Sequence, residues 1–141
     1  MKTDWKKLLI ASVAVYVVVQ ICNYLIHGMW LAPTYASLPD VWRPQAEMQS
    51  KMWIMFVTSA SFSFFFCYVF ARGYEGKGLA EGARYGAIIG LFFGISQAYE
   101  SYVIYPIPYS LALKWFLSGL AVSVVLGIVA AAVYKPAKAK P

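Results

Sequence analysis

Charge is scarce in this chain. Only 13% of its 141 residues are Asp, Glu, Lys or Arg, and six of them are acidic. With 61% hydrophobic residues, there is more apolar surface than a soluble domain of this size can bury. Histidine occurs once, at His27, and cysteine twice, at Cys22 and Cys67. A single histidine excludes a bis-histidine haem within one chain, and two remote cysteines add no metal-ligand cluster. No Ser, His and acid stand in an order or spacing that reads as a nucleophilic triad. No cofactor and no metal are expected, and the balance leans away from an enzyme. A long hydrophilic segment is also missing, so the chain reads as a single integral membrane domain over residues 1–141.

The charges that are present avoid four long stretches. Leu8–Ile26 and Trp53–Ala71 have none, Ala83–Ile104 has Arg84 and Glu100 near its ends, and Leu111–Tyr134 has Lys114 near its start. Each stretch covers the roughly 20 residues that a membrane-spanning helix needs. The expected fold is an all-α membrane protein, a four-transmembrane-helix antiparallel up-down bundle with helices at about 7–27, 44–72, 79–104 and 110–134. Short links favour that topology. Pro44 suits the opening of the second helix, and Gly73 suits its end.

Orientation follows from Lys and Arg. Nine of the twelve basic residues flank the termini and the link between the second and third spans: Lys2, Lys6, Lys7, Arg72, Lys77, Arg84, Lys135, Lys138 and Lys140. The other two links have Arg43, Lys51 and Lys114 in or beside them. Both termini are therefore expected in the cytoplasm, in a bacterial cell inner membrane. The net charge of +6 has the same origin, so nucleic acid is not an expected partner. The first span follows Lys6 and Lys7 as a signal peptide would, but Asn23, Tyr24, His27 and Met29 do not make a small-x-small cleavage site. It is expected to be retained. Cys22 and Cys67 fall at depths more than about 10 Å apart, too far for a disulfide.

Glycine is where the pattern is most regular. Gly78, Gly82, Gly86, Gly90 and Gly94 stand at every fourth position, and Ala98 continues the row. On a helix, steps of four trace a slowly winding groove without side chains. In lipid such a groove admits another helix to backbone distance. Each glycine costs about 1 kcal/mol relative to alanine in a helix, so a row of five points to close packing. Gly119, Ser123, Gly127 and Ala131 form a similar row in the fourth span, and Ser59, Ser63, Cys67 and Ala71 another in the second. The lipid bilayer is one expected partner, and another membrane protein or a second copy is the other.

Polar residues inside the spans mark the other candidates. Tyr16, Gln20, Asn23 and His27 are spaced by four, three and four residues, on one face of the first helix. Gln97, Glu100 and Ser101 sit in the outer half of the third. An acid in lipid costs roughly 2.5–3.5 kcal/mol on insertion scales, so Glu100 is expected to face the bundle, near Gln20, Asn23 or His27. The alternative is interhelical hydrogen bonding that only fixes the bundle. Small multidrug exporters share the size and the four spans, but they place an acid in the first span, where this chain has none.

Three functions stay open from the residues: an interaction or accessory subunit built on small-residue packing, a small transporter or channel with a polar pocket around Glu100, and a membrane enzyme on a lipid-like substrate. The aromatic second span and the glycine groove also suit a flat hydrophobic ligand.

Overall fold

The computed structural model describes residues 3–135, which fold into helices with no strand among them. Lys2, Lys138 and Lys140, counted in the charge asymmetry, lie outside the described residues. Helix α1 is Trp5–Asn23, α2 Ala32–Ala36, α3 Gln45–Arg72, α4 Leu79–Ile104 and α5 Tyr109–Val133. Four helices are long and apolar enough to cross a membrane: Trp5–Trp30, Gln45–Arg72, Leu79–Ile104 and Tyr109–Val133. The chain is therefore of the multi-pass membrane class.

The first span exceeds the expected 7–27 at both ends, for two local reasons. Asp4 caps α1, its carboxylate accepting the Lys7 N–H at 3.1 Å, as an N-cap acid should. Beyond Asn23 the helix does not stop but widens into a π-helix over Tyr24–Trp30, where the Leu31 N–H donates to the Ile26 carbonyl at 2.8 Å. Pro44 sits immediately before α3, and its carbonyl accepts the Glu47 and Met48 N–H groups, both at 3.0 Å. Gly73 caps the other end with φ −103°, an ordinary rather than left-handed backbone. The left-handed positions are Gly76 (φ 77°) and Gly78 (φ 74°) in the link that follows, where any other residue would be strained.

The closest pairing in the chain is α4 against α5. Residue numbers rise on one helix as they fall on the other: Gly82 lies against Gly127, Gly86 against Ser123, Gly90 against Leu120 and Gly94 against Phe116. A Cβ built on Gly82 would fall on the Gly127 carbonyl oxygen. On Gly86 it would fall on that of Ser123, and on Gly127 on that of Gly82. Backbones touch here, a distance at which van der Waals packing and Cα–H···O contacts hold helices together in lipid. The seam opens along its length. A Cβ on Gly94 would meet first a Phe116 ring carbon at 3.4 Å, and one on Gly119 would meet nothing within 4 Å.

Helix α1 packs on α3 and α5 through Leu8, Ala11, Val15 and Val19, which meet Phe66, Cys67, Phe70 and Ala71 of α3 and Leu126, Ala130 and Ala131 of α5. Ser12 and Ser63 are buried in this core and donate to carbonyls of their own helices, Leu8 at 2.8 Å and Ser59 at 2.8 Å. Cys22 and Cys67 are both free.

The two ends of the described residues lie together, beside the α3–α4 link. Tyr134 is buried there, beside Tyr74 (5.5 Å between ring centres) and Phe70 (6.4 Å), and its hydroxyl accepts the Asp4 N–H at 3.3 Å. Lys7 donates to the Lys135 carbonyl. Tyr85 stacks edgewise on Phe66 at 4.8 Å and donates to the Phe66 carbonyl at 2.6 Å. This is the terminal end. At the far end, the 31–44 segment folds onto the start of α5, burying Leu31 against Ile107, Leu111 and Ala112.

Candidate functional site: a cleft in the far half

Helices α3 and α4 reach each other through side chains toward the terminal end. Tyr85 joins α4 to α3 there. Toward the far end α3 and α4 stand apart, and a cleft of about 770 Å³ opens between them, floored by α5 and α1. It runs along α5 from Trp115 to Leu126 and along α4 from Ile89 to Ser101. At about 1.5 Å per residue, that is a length of roughly 16–18 Å, or about half of a hydrocarbon core about 30 Å thick.

Its two ends differ in chemistry. The deep end is mostly apolar, with Val19, Ile89, Val122 and Leu126 beside the hydroxyls of Ser59 and Ser123. The far end is polar and aromatic. Asn23 and His27 come from α1 and its π-helical turn, Tyr35 and Trp42 from the following segment, Gln97 and Ser101 from α4, and Trp115 from α5. The widened turn matters because a π segment is rare and frequently marks a functional site. Among the described residues, no Asp, Glu, Lys or Arg lines the cleft.

A hydrogen-bonded chain closes the far end. The Trp115 Nε1–H donates to the Tyr35 hydroxyl at 2.8 Å, and the same hydroxyl lies 2.6 Å from His27 Nδ1. The Trp42 Nε1–H donates to the Tyr35 carbonyl at 3.2 Å. The Tyr35 ring meets Trp42 edge-on at 5.4 Å, and Trp42 and Trp115 are 6.3 Å apart. Burial pushes the Tyr35 hydroxyl above the ordinary tyrosine value, with the Trp115 hydrogen bond opposing. It therefore stays protonated at neutral pH. Tyr35 thus ties the π-helical turn to α5, through a partner eighty residues further along the chain.

Of the seven polar residues singled out in the sequence, the structure brings four to the cleft: Asn23, His27, Gln97 and Ser101. Tyr16, Gln20 and Glu100 fall outside its lining. Gln20 is partly buried, and its Nε2 has no hydrogen-bond partner among the described residues. Glu100 is exposed. The expectation that it faces α1 rested on depth along the helix, and depth does not set direction. Ala98 is the buried position at this level, 2% exposed, and two residues further on the helix has turned about 200°. Glu100 therefore points away from the buried side.

Tyr35, Trp42 and Trp115 were not legible as site residues, because nothing in their spacing links them to His27. Glu81 was also missed. It is 4% exposed at the start of α4, and its carboxylate accepts the N–H groups of Glu75 at 2.6 Å and Lys77 at 2.7 Å. The signal was Gly78-Leu-Ala-Glu81, an acid at the third helical position reaching back over the entry, as in a capping box. Among the described residues no group of three His, Cys, Asp or Glu gathers where a metal ion would bind. No family model, curated protein or solved structure matches the chain.

Proposed function

We propose that this small multi-pass membrane protein binds an amphipathic, lipid-like molecule in the far-half cleft. The observation that carries the reading is the polarity gradient of the cleft. Apolar walls lie at mid-bundle, and a set of aromatic and amide side chains lies at the end where a membrane interface would fall. Binding sites of this size, mostly apolar with a few placed polar groups, are the usual form of small-molecule sites. With both termini in the cytoplasm of a bacterial cell, as the basic residues favour, the cleft opens into the outer leaflet of the inner membrane. Reporter fusions within Thr34–Asp40 and after Lys135 then fall on opposite sides.

The test is photolabelling in vesicles with a diazirine fatty-acyl probe. Labelled peptides should fall within Ile89–Ser101 and Trp115–Leu126. A Cβ built on Gly119 would meet nothing within 4 Å, and Gly119 lines the cleft, so Gly119→Phe should fill it and cut labelling of these peptides about tenfold while the protein stays folded. Unchanged labelling in that variant would sink the proposal.

A second reading, an accessory subunit or self-associating protein, is favoured by one observation. Residues 48–58 of α3 are all exposed, and Met48, Met55 and Thr58 among them edge the cleft. That half-helix offers a free surface, whereas the glycine row of α4 already faces α5 of the same chain. Chemical crosslinking through 48–58 in native membranes would favour this reading. A transport role built on Glu100 loses its premise, since that carboxyl lies outside the cleft.

A further inference from the structure

We infer that the cleft selects an uncharged head group bearing an acceptor oxygen, and that His27 reads it with an Nε2–H donor whose position Tyr35 and Trp115 set. The inference rests on the reading of the cleft as a binding site, and it names the class of molecule that fits.

The absence of ionised side chains from the lining is the first half of the argument. A phosphate or ammonium head group drawn into this site would lose water and meet no opposite charge, which is strongly unfavourable. The basic residues around the far end are engaged elsewhere. Arg43 and Lys51 pair with Glu47 at 2.6 and 3.0 Å, and Lys114 stands over the Trp30 ring at 5.7 Å. Arg43, Lys51 and Lys114 are all absent from the lining.

The second half is the donor count. The Trp115 Nε1–H can only donate, so the Tyr35 oxygen accepts it. If Tyr35 in turn donates to His27 Nδ1, every hydrogen of the chain is used except the histidine Nε2–H. If instead Nδ1–H donates to Tyr35, the tyrosine hydrogen and the Nε2 lone pair are both left over. The first arrangement is favoured, because it leaves fewer groups without a partner. Tyr35 is thus the positioning residue, and the unspent Nε2–H of His27 becomes a donor at the polar end of the cleft. Two of the hydroxyls that line the cleft are already used. Thr58 gives its hydrogen to the Met55 carbonyl at 3.1 Å, and Ser118 gives its own to that of Lys114 at 2.6 Å. The side chains left to meet a ligand are His27, the amides of Asn23 and Gln97 and the hydroxyl of Ser101 toward the far end, with the hydroxyls of Ser59 and Ser123 deeper in the cleft. Such a set suits the carbonyl and hydroxyl oxygens of a neutral glyceride.

One histidine makes the test clean, because a protein labelled with 15N-histidine shows a single imidazole. The full chain in nanodiscs is titrated with monooleoylglycerol and, separately, with the lysophosphatidic acid of the same acyl chain. The expected result is an Nε2–H tautomer before any addition, a shift of its Nε2 signal on adding the glyceride, and at least tenfold weaker binding of the phosphate. Tyr35→Phe should bring the Nδ1–H tautomer into the mixture. His27→Phe should weaken glyceride binding about tenfold, the worth of one hydrogen bond. An Nδ1–H tautomer in the unaltered protein, or equal binding of the phosphate, overturns the inference while the cleft remains a binding site. If neither lipid perturbs Trp115 or His27, the inference and the proposed function fall together.

Discussion

The terminal and far halves of the molecule are made of the same helices and solve opposite problems. In the terminal half, small residues bring backbones together. Gly82, Gly86 and Gly127 leave no room for a Cβ, and Phe66, Phe70, Tyr74, Tyr85 and Tyr134 fill what remains. In the far half the same α4–α5 seam meets Phe116 and Leu120 instead, the helices stand further apart, and a cleft remains. The change is graded along one glycine row, so a regular sequence repeat does not produce a regular interface. What decides each step is the residue opposite: Gly127 and Ser123 let the backbones touch, while a leucine and a phenylalanine hold them apart. The two ends also differ in how their links are held. Glu81 holds the α3–α4 link by two backbone hydrogen bonds, whereas the 31–44 segment is held by aromatic packing and the Tyr35 hydroxyl.

The largest test of that contrast is to place bulk on each half of the seam. Gly86→Leu puts a side chain on the Ser123 carbonyl. Overpacking costs about 1–3 kcal/mol and occasionally more, so thermal unfolding in detergent should show a large drop in midpoint or no folded protein. Gly119→Ala, in the open part, should be neutral or stabilising by up to about 1 kcal/mol through helix propensity. Equal effects at the two sites would erase the distinction between the halves.

Next comes the clasp on the terminal link. Glu81→Ala removes two charge-assisted hydrogen bonds, each worth about 1.5–3 kcal/mol in buried settings, and exposes the Glu75 and Lys77 amides. Hydrogen exchange at those two amides should accelerate by more than tenfold, with little change at Trp115 Nε1–H in the far half. Slow exchange in the variant would show that the left-handed Gly76 and Gly78 hold the link without it.

The smallest effect is electrostatic. The Lys77 ammonium at 2.5 Å and then the Arg84 guanidinium at 3.0 Å hold the Glu75 carboxyl below its ordinary value of 4.5. Because the folded value is the lower one, the contribution is fully present above pH 4.5 and fades as pH falls through the folded value. Glu75 is at the surface, so the change should be slight and weakened by salt. Arg84→Gln should flatten the acid limb of a stability–pH curve. A limb that is unchanged in this variant would assign acid sensitivity to another group.

Much of the fold was legible because its rules are one-dimensional. Runs without charge mark spans, and the ends of three of the four came within one residue of where the structure has them. The first ran on past His27, because nothing in Tyr24–Trp30 announces π-helical hydrogen bonding. The cleft was only partly legible. Asn23, His27 and Gln97 stood out because polar residues in lipid are costly. Glu100 stood out for the same reason and lies elsewhere, since the cost of an acid says that it must find a wet or polar place but not on which side of the helix.

By itself, the sequence determined the number of spans, the scarcity of ionised groups along them and the spacing of the glycines, because each is a property of composition or of period along one helix. Only the tertiary structure decided that the glycine row meets α5, that the seam opens beyond Gly90, and that Tyr35 joins His27 to Trp115. Those outcomes depend on which residue stands opposite which across two helices, and on rotation about each helix axis. Neither quantity is written in the spacing of a single chain segment.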